Sequence, residues 1–211
     1  ADHFYQVYQD KAGNHWLLTD NGLGMIRPGE QQPVNYFVET KGKQDGMNQA
    51  FYAVRECEDD ICFASDRGRI WCYQKQGGEF RLLELPTKAR ITSIHTVAND
   101  NTVVTTDSDG FFLCNLKTNK HTHYSPVTCK ELSAQRTSEV WFEQEEPGVV
   151  VHFNPATGVV KREQMRVEYS NADRSRPAFH IHEDIHGHIW VHPYGGGFSY
   201  FDRDRNCLVP F

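Results

Sequence analysis

The chain has 211 residues, 12% of them aromatic and 24% charged, and a formal net charge of −6. Its Lys and Arg are scattered rather than gathered into a stripe, which excludes a basic nucleic-acid-binding face and counts against a sulfated polyanion as ligand. No apolar run approaches the ~20 residues of a bilayer-spanning helix, so any membrane contact is expected through segments outside this chain.

In chain order, residues 4–38 read as a first unit of short strands. A strand ends at Asp10, a turn closes at Gly13, and a Trp16-centred strand ends at Thr19. A second turn, Asp20-Asn21-Gly22, leads to a strand over 23–26 and an outer strand over 34–38. Residues 39–49 are a polar loop between units. The second unit, 50–85, has Cys62 where the first has Trp16, then the turn Asp66-Arg67-Gly68. Its third strand carries Trp71, and Pro86 stops its outer strand, since proline cannot donate to a ladder. The third unit, 90–124, has Val103 in the Trp slot and the turn Asp107-Ser108-Asp109-Gly110. The fourth, 127–167, recovers Trp141 and has turns at Glu145–Gly148 and over 154–158. The polar segment 170–177 is the expected mobile loop. The fifth, 178–211, alternates apolar and polar over 179–183, turns at Asp184 to Gly187, centres a strand over 188–192 on Trp190, turns again over 193–197, and ends a strand over 198–201 before Asp202.

The second-turn glycines, Gly22, Gly68, Gly110, Gly148 and Gly196, recur with a drifting period of about 43 residues. Short runs of Val, Ile, Phe and Tyr broken by Gly, Asn and Asp argue for strands over helices. A single four-stranded sheet cannot bury both faces. Stacked radially, each sheet covers the next and leaves only short edges exposed. The expected fold is therefore all-β: one β-propeller domain of about five four-stranded blades. Gly22, Gly68 and Gly110 are expected at positive φ, and Gly68→Val is expected to cost about 1–3 kcal/mol.

The units resemble the two-component regulator propeller repeat. The resemblance rests on Asp10, Gly13, Trp16, Thr19 and Gly22 in the first unit and on Asp184, Gly187, Trp190, Gly197, Tyr200 and Asp202 in the last. It implies the periplasmic sensor region of a membrane-anchored hybrid two-component protein of Bacteroides type. It also implies oligosaccharide detection, with a histidine kinase elsewhere in the full-length product. Family propellers more often complete seven blades. The chain therefore reads as a closed five-bladed ring or, preferred because it stops directly after an apolar strand, part of a larger ring. The expected partners are an oligosaccharide ligand, the rest of the sensor and a second copy in a homodimer.

The six cysteines, Cys57, Cys62, Cys72, Cys114, Cys129 and Cys207, show no C-x-x-C spacing and several occupy strand positions. They read as buried thiols rather than disulfides, without a zinc site. Among 11 histidines, His180 and His182 share a strand face near His186, His188 and His192, and His121 and His123 repeat the pattern. These are read as strand and turn fillers, so no metal and no cofactor are expected. The turn carboxylates Asp20, Asp66, Asp107, Asp109, Glu145 and Glu146 each sit where Asp bonds its own turn backbone. No nucleophile motif or phosphate loop is present, and no catalysis is expected. A propeller-fold polysaccharide lyase or glycoside hydrolase using paired carboxylates, and a protein-interaction propeller, are the alternatives. Trp16, Trp141 and Trp190 are assigned to packing between blades. The candidate ligand-binding rim is the second-turn end: Asp20, Asn21, Asp66, Arg67, Asp107, Ser108, Asp109, Glu145, His192 and Tyr194.

Overall fold

The computed structural model describes residues 3–37, 50–97, 101–124, 139–142, 149–164, 179–193 and 198–211. Every regular element among them is a strand: β1 (Phe4–Gln9), β2 (His15–Thr19), β3 (Gly22–Ile26), β4 (Val34–Tyr36), β5 (Phe51–Glu56), β6 (Asp60–Ser65), β7 (Arg69–Gln74), β8 (Phe80–Glu84), β9 (Ile91–Thr96), β10 (Asn101–Thr106), β11 (Phe111–Asn115), β12 (Lys120–Tyr124), β13 (Val140–Phe142), β14 (Val149–Asn154), β15 (Val159–Gln164), β16 (Phe179–Glu183), β17 (Ile189–Pro193), β18 (Ser199–Asp202) and β19 (Cys207–Pro210). Sequence neighbours are hydrogen-bonded neighbours throughout. The sheets β1–β4, β5–β8, β9–β12 and β16–β19 have four strands, and β13–β15 is three-stranded among the described residues. This is the meander order of propeller blades. The inter-blade loop at 39–49, the loop at 170–177 and the turn residues Glu145, Glu146, Gly148, Tyr194, Gly196 and Gly197 lie outside the described residues.

Several strand ends differ from the sequence reading by one or two residues, among them β3, which begins at Gly22, and β18, which runs Ser199–Asp202 and takes in Asp202. The outer strand of the first blade stops at Tyr36, because Phe37 takes φ +58° and leaves the extended region. The Trp190 strand begins at Ile189 rather than at 188. His188 is held in the preceding turn, its backbone N–H donating to Asp184 Oδ1 at 2.9 Å.

The chain divides into two compact units, Ala1–Thr96 and Val97–Phe211. In the first, Trp16, Leu18, Leu23, Met25, Phe51, Ile61 and Phe63 form one buried cluster, so the faces of the first two blades meet. The Trp16 ring lies 4.9 Å from Phe63 and 5.0 Å from Tyr73. In the second, β13 shows why blade strands are apolar on both faces. Val140 and Phe142 join Val103, Phe111, Val151 and Phe153 on one side. Trp141 between them joins Ile181, Ile189, Val191, Phe201 and Leu208 on the other.

Trp16 on β2, Trp141 on β13 and Trp190 on β17 each sit on the strand that precedes the last two of its sheet. Their cross-strand partners on the strands that follow are Met25, His152 and Tyr200. In the first and last blades an aspartate six residues earlier clasps the indole. Trp16 Nε1 donates to Asp10 Oδ2 at 2.9 Å, and Trp190 Nε1 to Asp184 Oδ2 at 3.0 Å. The other carboxylate oxygen closes the turn, accepting from Ala12 and Asn14 in one blade and from His186 and His188 in the other. Burial works to raise the Asp10 pKa, but the bonds from Trp16, Asn14 and Ala12 outweigh it and hold it below the ordinary carboxylate value. The bond from Trp190 is the largest influence holding Asp184 low.

Candidate functional site

The second turns present the residues expected at a ligand rim, each tied within its own blade. Thr19 Oγ1 donates to Gly22 O and accepts from the Asn21 N–H. Asp20 bonds back to His3, accepting the His3 N–H on Oδ1 at 3.1 Å. Asp66 Oδ2 accepts from Tyr52 Oη at 3.2 Å, and Arg90 lies 5.0 Å above the Tyr52 ring. Arg67 and Gly68, at φ +56° and +67°, are the two central residues of a tight hairpin turn whose Arg69 N–H reaches Asp66 O. Gly22 and Gly110 are also at positive φ, as expected.

In the third blade Thr106 Oγ1 bridges Gly110 O and the Asp109 N–H, and Ser108 Oγ donates to Asp107. His123, stacked 4.3 Å from Phe112, reaches Asp109 O at 2.8 Å and its carboxylate at 3.3 Å. His192 is half-buried against Phe198, with rings 4.7 Å apart. The structure therefore ties Asp20, Asp66 and Asp109 into their own blades. Glu145 and Tyr194 lie outside the described residues. Trp16 and Trp141 are fully buried and offer no face to a sugar, whereas Trp190 is half-buried beside Tyr200 and Phe211.

A second polar site lies in the fourth and fifth blades, both within the Val97–Phe211 unit, at the opposite end of their strands from the second turns. Glu139 precedes β13, His152 lies on β14 and Lys161 on β15. With Asn154, Thr157 and Val159 they line a cavity of about 180 Å³. That is below the ~300–1,000 Å³ of ordinary small-molecule pockets, enough for several waters or one small polar group. His152, 2% exposed, stacks flat on Trp141 with ring centroids 4.5 Å apart. Its Nδ1 lies 3.6 Å from Glu139 Oε2 and its Nε2 3.4 Å from Glu163 Oε1. The shorter contact calls for the Nε2-protonated tautomer, assigned from the network. Burial lowers the His152 pKa and wins over both carboxylates, which raise it, so the ring is neutral at pH 7. Arg203 approaches Glu139 at 3.6 Å, and Lys161 Nζ donates to Asn206 Oδ1 at 3.2 Å, joining the two blades. The sequence reading did not single out His152. Its place opposite Trp141 becomes visible only once the β13–β14 register is fixed.

Among the described residues no group of three His, Cys, Asp or Glu side chains has metal-holding geometry. Cys62, Cys72 and Cys114 are buried free thiols, and Cys57 and Cys207 are half-buried free thiols.

No protein-family model matches the chain, and no curated protein matches its sequence. Solved structures do match it. An extracellular domain assigned to a hybrid two-component system of B. thetaiotaomicron aligns with 98% of the chain at TM-score 0.69 and 18% identity, and the chain spans 29% of that domain. A catalytically inactive form of virginiamycin B lyase from Staphylococcus aureus, with quinupristin, aligns with 99% of the chain and 69% of the lyase at TM-score 0.72 and 15% identity. YCF48 bound to D1 peptide aligns with 99% of the chain and 66% of its own length at TM-score 0.70 and 13% identity. The fold is a β-propeller. At these identities the likeness concerns the fold and leaves activity to the site.

Proposed function

We propose that the chain is the ligand-sensing extracytoplasmic propeller of a two-component signal-transduction regulator. Its ligand is an oligosaccharide, and it performs no chemistry itself. One correspondence carries this reading. Blades bearing the Asp–Gly–Trp repeat match, over 98% and 99% of the chain, extracellular domains of two B. thetaiotaomicron regulators. The periplasm is then the compartment. The rest of the receptor and a second copy are the protein partners.

The ligand contacts are assigned to Asp20, Asn21, Asp66, Arg67, Asp107, Asp109, His192 and Tyr194. Sugar hydroxyls are both donors and acceptors, and carboxylates and amides held in fixed turns match them with little ordering cost. A second reading, a propeller-fold lyase, draws on the likeness to virginiamycin B lyase and on His152 between Glu139 and Glu163. Its obstacle is the near-complete burial of the His152 ring under Trp141.

The test is titration calorimetry of the chain against plant and host oligosaccharides, with quinupristin as a separate arm followed by product analysis. Binding of a glycan, weakened about tenfold by Arg67→Ala or Asp66→Ala, about 1.4 kcal/mol each, is the expected outcome. Cleavage of quinupristin or of any glycan would establish the lyase reading instead.

A further inference from the structure

The second blade departs from the clasp in a specific way. Asp10 and Asp184 each follow by two residues the partner of a slot Trp, Tyr8 with Trp16 and His182 with Trp190. Each donates its backbone N–H across the turn, to Asn14 O and His188 O. In the second blade Arg55 pairs with Cys62, and Cys57, two residues on, donates its N–H to Asp60 O. Cys57 therefore stands at the clasp-aspartate position and Cys62 at the Trp position. Cys72 is the cross-strand partner of Cys62, where Met25 partners Trp16. Three sulfurs replace carboxylate, indole and thioether at one place in the blade.

Packing does not require this chemistry. The third blade fills the same places with Val97, whose N–H reaches Asn101 O, and with Val103 opposite Leu113. The register also gathers the three: Cys72 is directly opposite Cys62, and Cys57 stands on the diagonal from it, two residues beyond Arg55, so that the Cys57 and Cys72 thiols both act on that of Cys62.

We propose that Cys57 and Cys62 are a redox-active thiol pair, in which Cys57 attacks an external disulfide and Cys62 closes an intramolecular bridge. The thiol and its surroundings are suited to these roles. Cys57 is half-buried and reachable, whereas Cys62 is fully buried. The neighbouring Cys62 thiol above all, then Thr96 and the Arg55 charge, overcome burial and pull the Cys57 thiol down to about 6. Thr96 Oγ1 lies 3.7 Å from its sulfur. Lys75 Nζ, paired with Glu56 at 2.8 Å, also donates to Cys57 O at 2.7 Å and Glu58 O at 2.9 Å, placing a cation at the turn. Asp60 acts the other way. The same contacts with Cys57 and Cys72, together with burial, hold the Cys62 thiol up, so Cys57 ionises first.

In the first step the Cys57 thiolate bonds to one sulfur of the external disulfide and expels the other as thiolate. In the second, the Cys62 sulfur displaces the half bound to Cys57, its proton passing to the thiolate released. One Cys57–Cys62 bond forms, the external disulfide becomes two thiols, and two electrons leave the protein.

The experiment incubates the reduced full chain with oxidised glutathione, quenches with acid, alkylates, and maps disulfide-linked peptides by mass spectrometry. The expected product has lost two hydrogens and carries a Cys57–Cys62 link. In Cys62→Ala the reaction stalls as a glutathione adduct on Cys57. In Cys57→Ser the Cys57–Cys62 bond cannot form, and loss of two hydrogens through any other cysteine pair is at least about tenfold slower, following the lost thiolate. Cys207, also half-buried, is the internal comparison. Loss of two hydrogens at an undiminished rate in Cys57→Ser, a first bridge between Cys62 and Cys72, or adduct formation no faster at Cys57 than at Cys207 each overturns the proposal.

Discussion

Gly68→Ala tests the second-turn geometry at one atom. Gly68 has φ +67°, in the left-handed region that costs an L-residue about 1–2 kcal/mol. A Cβ there would stand 2.7 Å from Leu85 O, 2.8 Å from Thr87 Cγ2 and 3.1 Å from Thr87 O. The backbone cannot simply move away. Gly68 N–H donates to Ala89 O at 3.1 Å, and Leu85 N–H donates to Gly68 O at 2.9 Å. Relief of the clash therefore strains or breaks one of these bonds, each worth about 0.5–1.5 kcal/mol net. Together the terms give about 1.5–3.5 kcal/mol, above the ~1–2 kcal/mol of conformation alone. Gly29 is the control, with φ +82° but no atom within 4 Å of its Cβ, so Gly29→Ala carries only the conformational cost of about 1–2 kcal/mol. Urea denaturation of both variants reads the difference. In a domain of this size each kcal/mol also lowers Tm by about 2–4 °C. Equal destabilisation of the two variants would refute the contact argument.

Asp10→Ala removes the partner of a buried indole N–H and of two turn N–H groups, and is expected to cost about 2–4 kcal/mol by denaturant melt. The Asp10 and Asp184 carboxyls are held below their ordinary pKa. Their contribution is complete above pH ~4, the unfolded value, and is lost as pH falls through the lower folded values, which melts at descending pH will record. His152 titrates in the same sense through a different cause. Its folded pKa is depressed by burial, so below pH ~6.5 the unfolded chain binds a proton the folded chain resists and stability falls. His152→Gln is expected to flatten the melting curve between about pH 7 and 5 while costing stability at pH 7. Trp141→Ala is expected to cost about 3–5 kcal/mol as a core truncation, and Trp190→Ala less, because Trp190 is only half-buried.

The repeat was legible because the clasp fixes its spacing. An indole reaches a carboxylate six residues back only across a turn of one length, so Asp10–Trp16 and Asp184–Trp190 stand out in a bare sequence. Where the clasp is replaced, by Cys57 and Cys62 or by Val97 and Val103, only the second turn with its Ser or Thr and its glycine marks the blade. The cavity beside His152 was not legible. It needs the pairing of His152 with Trp141, the outer-strand Lys161, and Asn206 and Arg203 from the next blade, positions that no local pattern links. Strand ends were missed by one or two residues where a turn hydrogen bond, as at His188, or a positive φ, as at Phe37, overrode alternation.

The central claim is that this propeller binds a glycan and leaves it intact. The most direct measurement presents the chain to an immobilised panel of plant and host oligosaccharides, then incubates any ligand found with the chain in solution and analyses it by mass spectrometry. The account predicts retention of at least one oligosaccharide, recovered unchanged in mass, and reduced retention for Arg67→Ala. A ligand returned as shorter fragments, or retention untouched by every second-turn substitution, would contradict it.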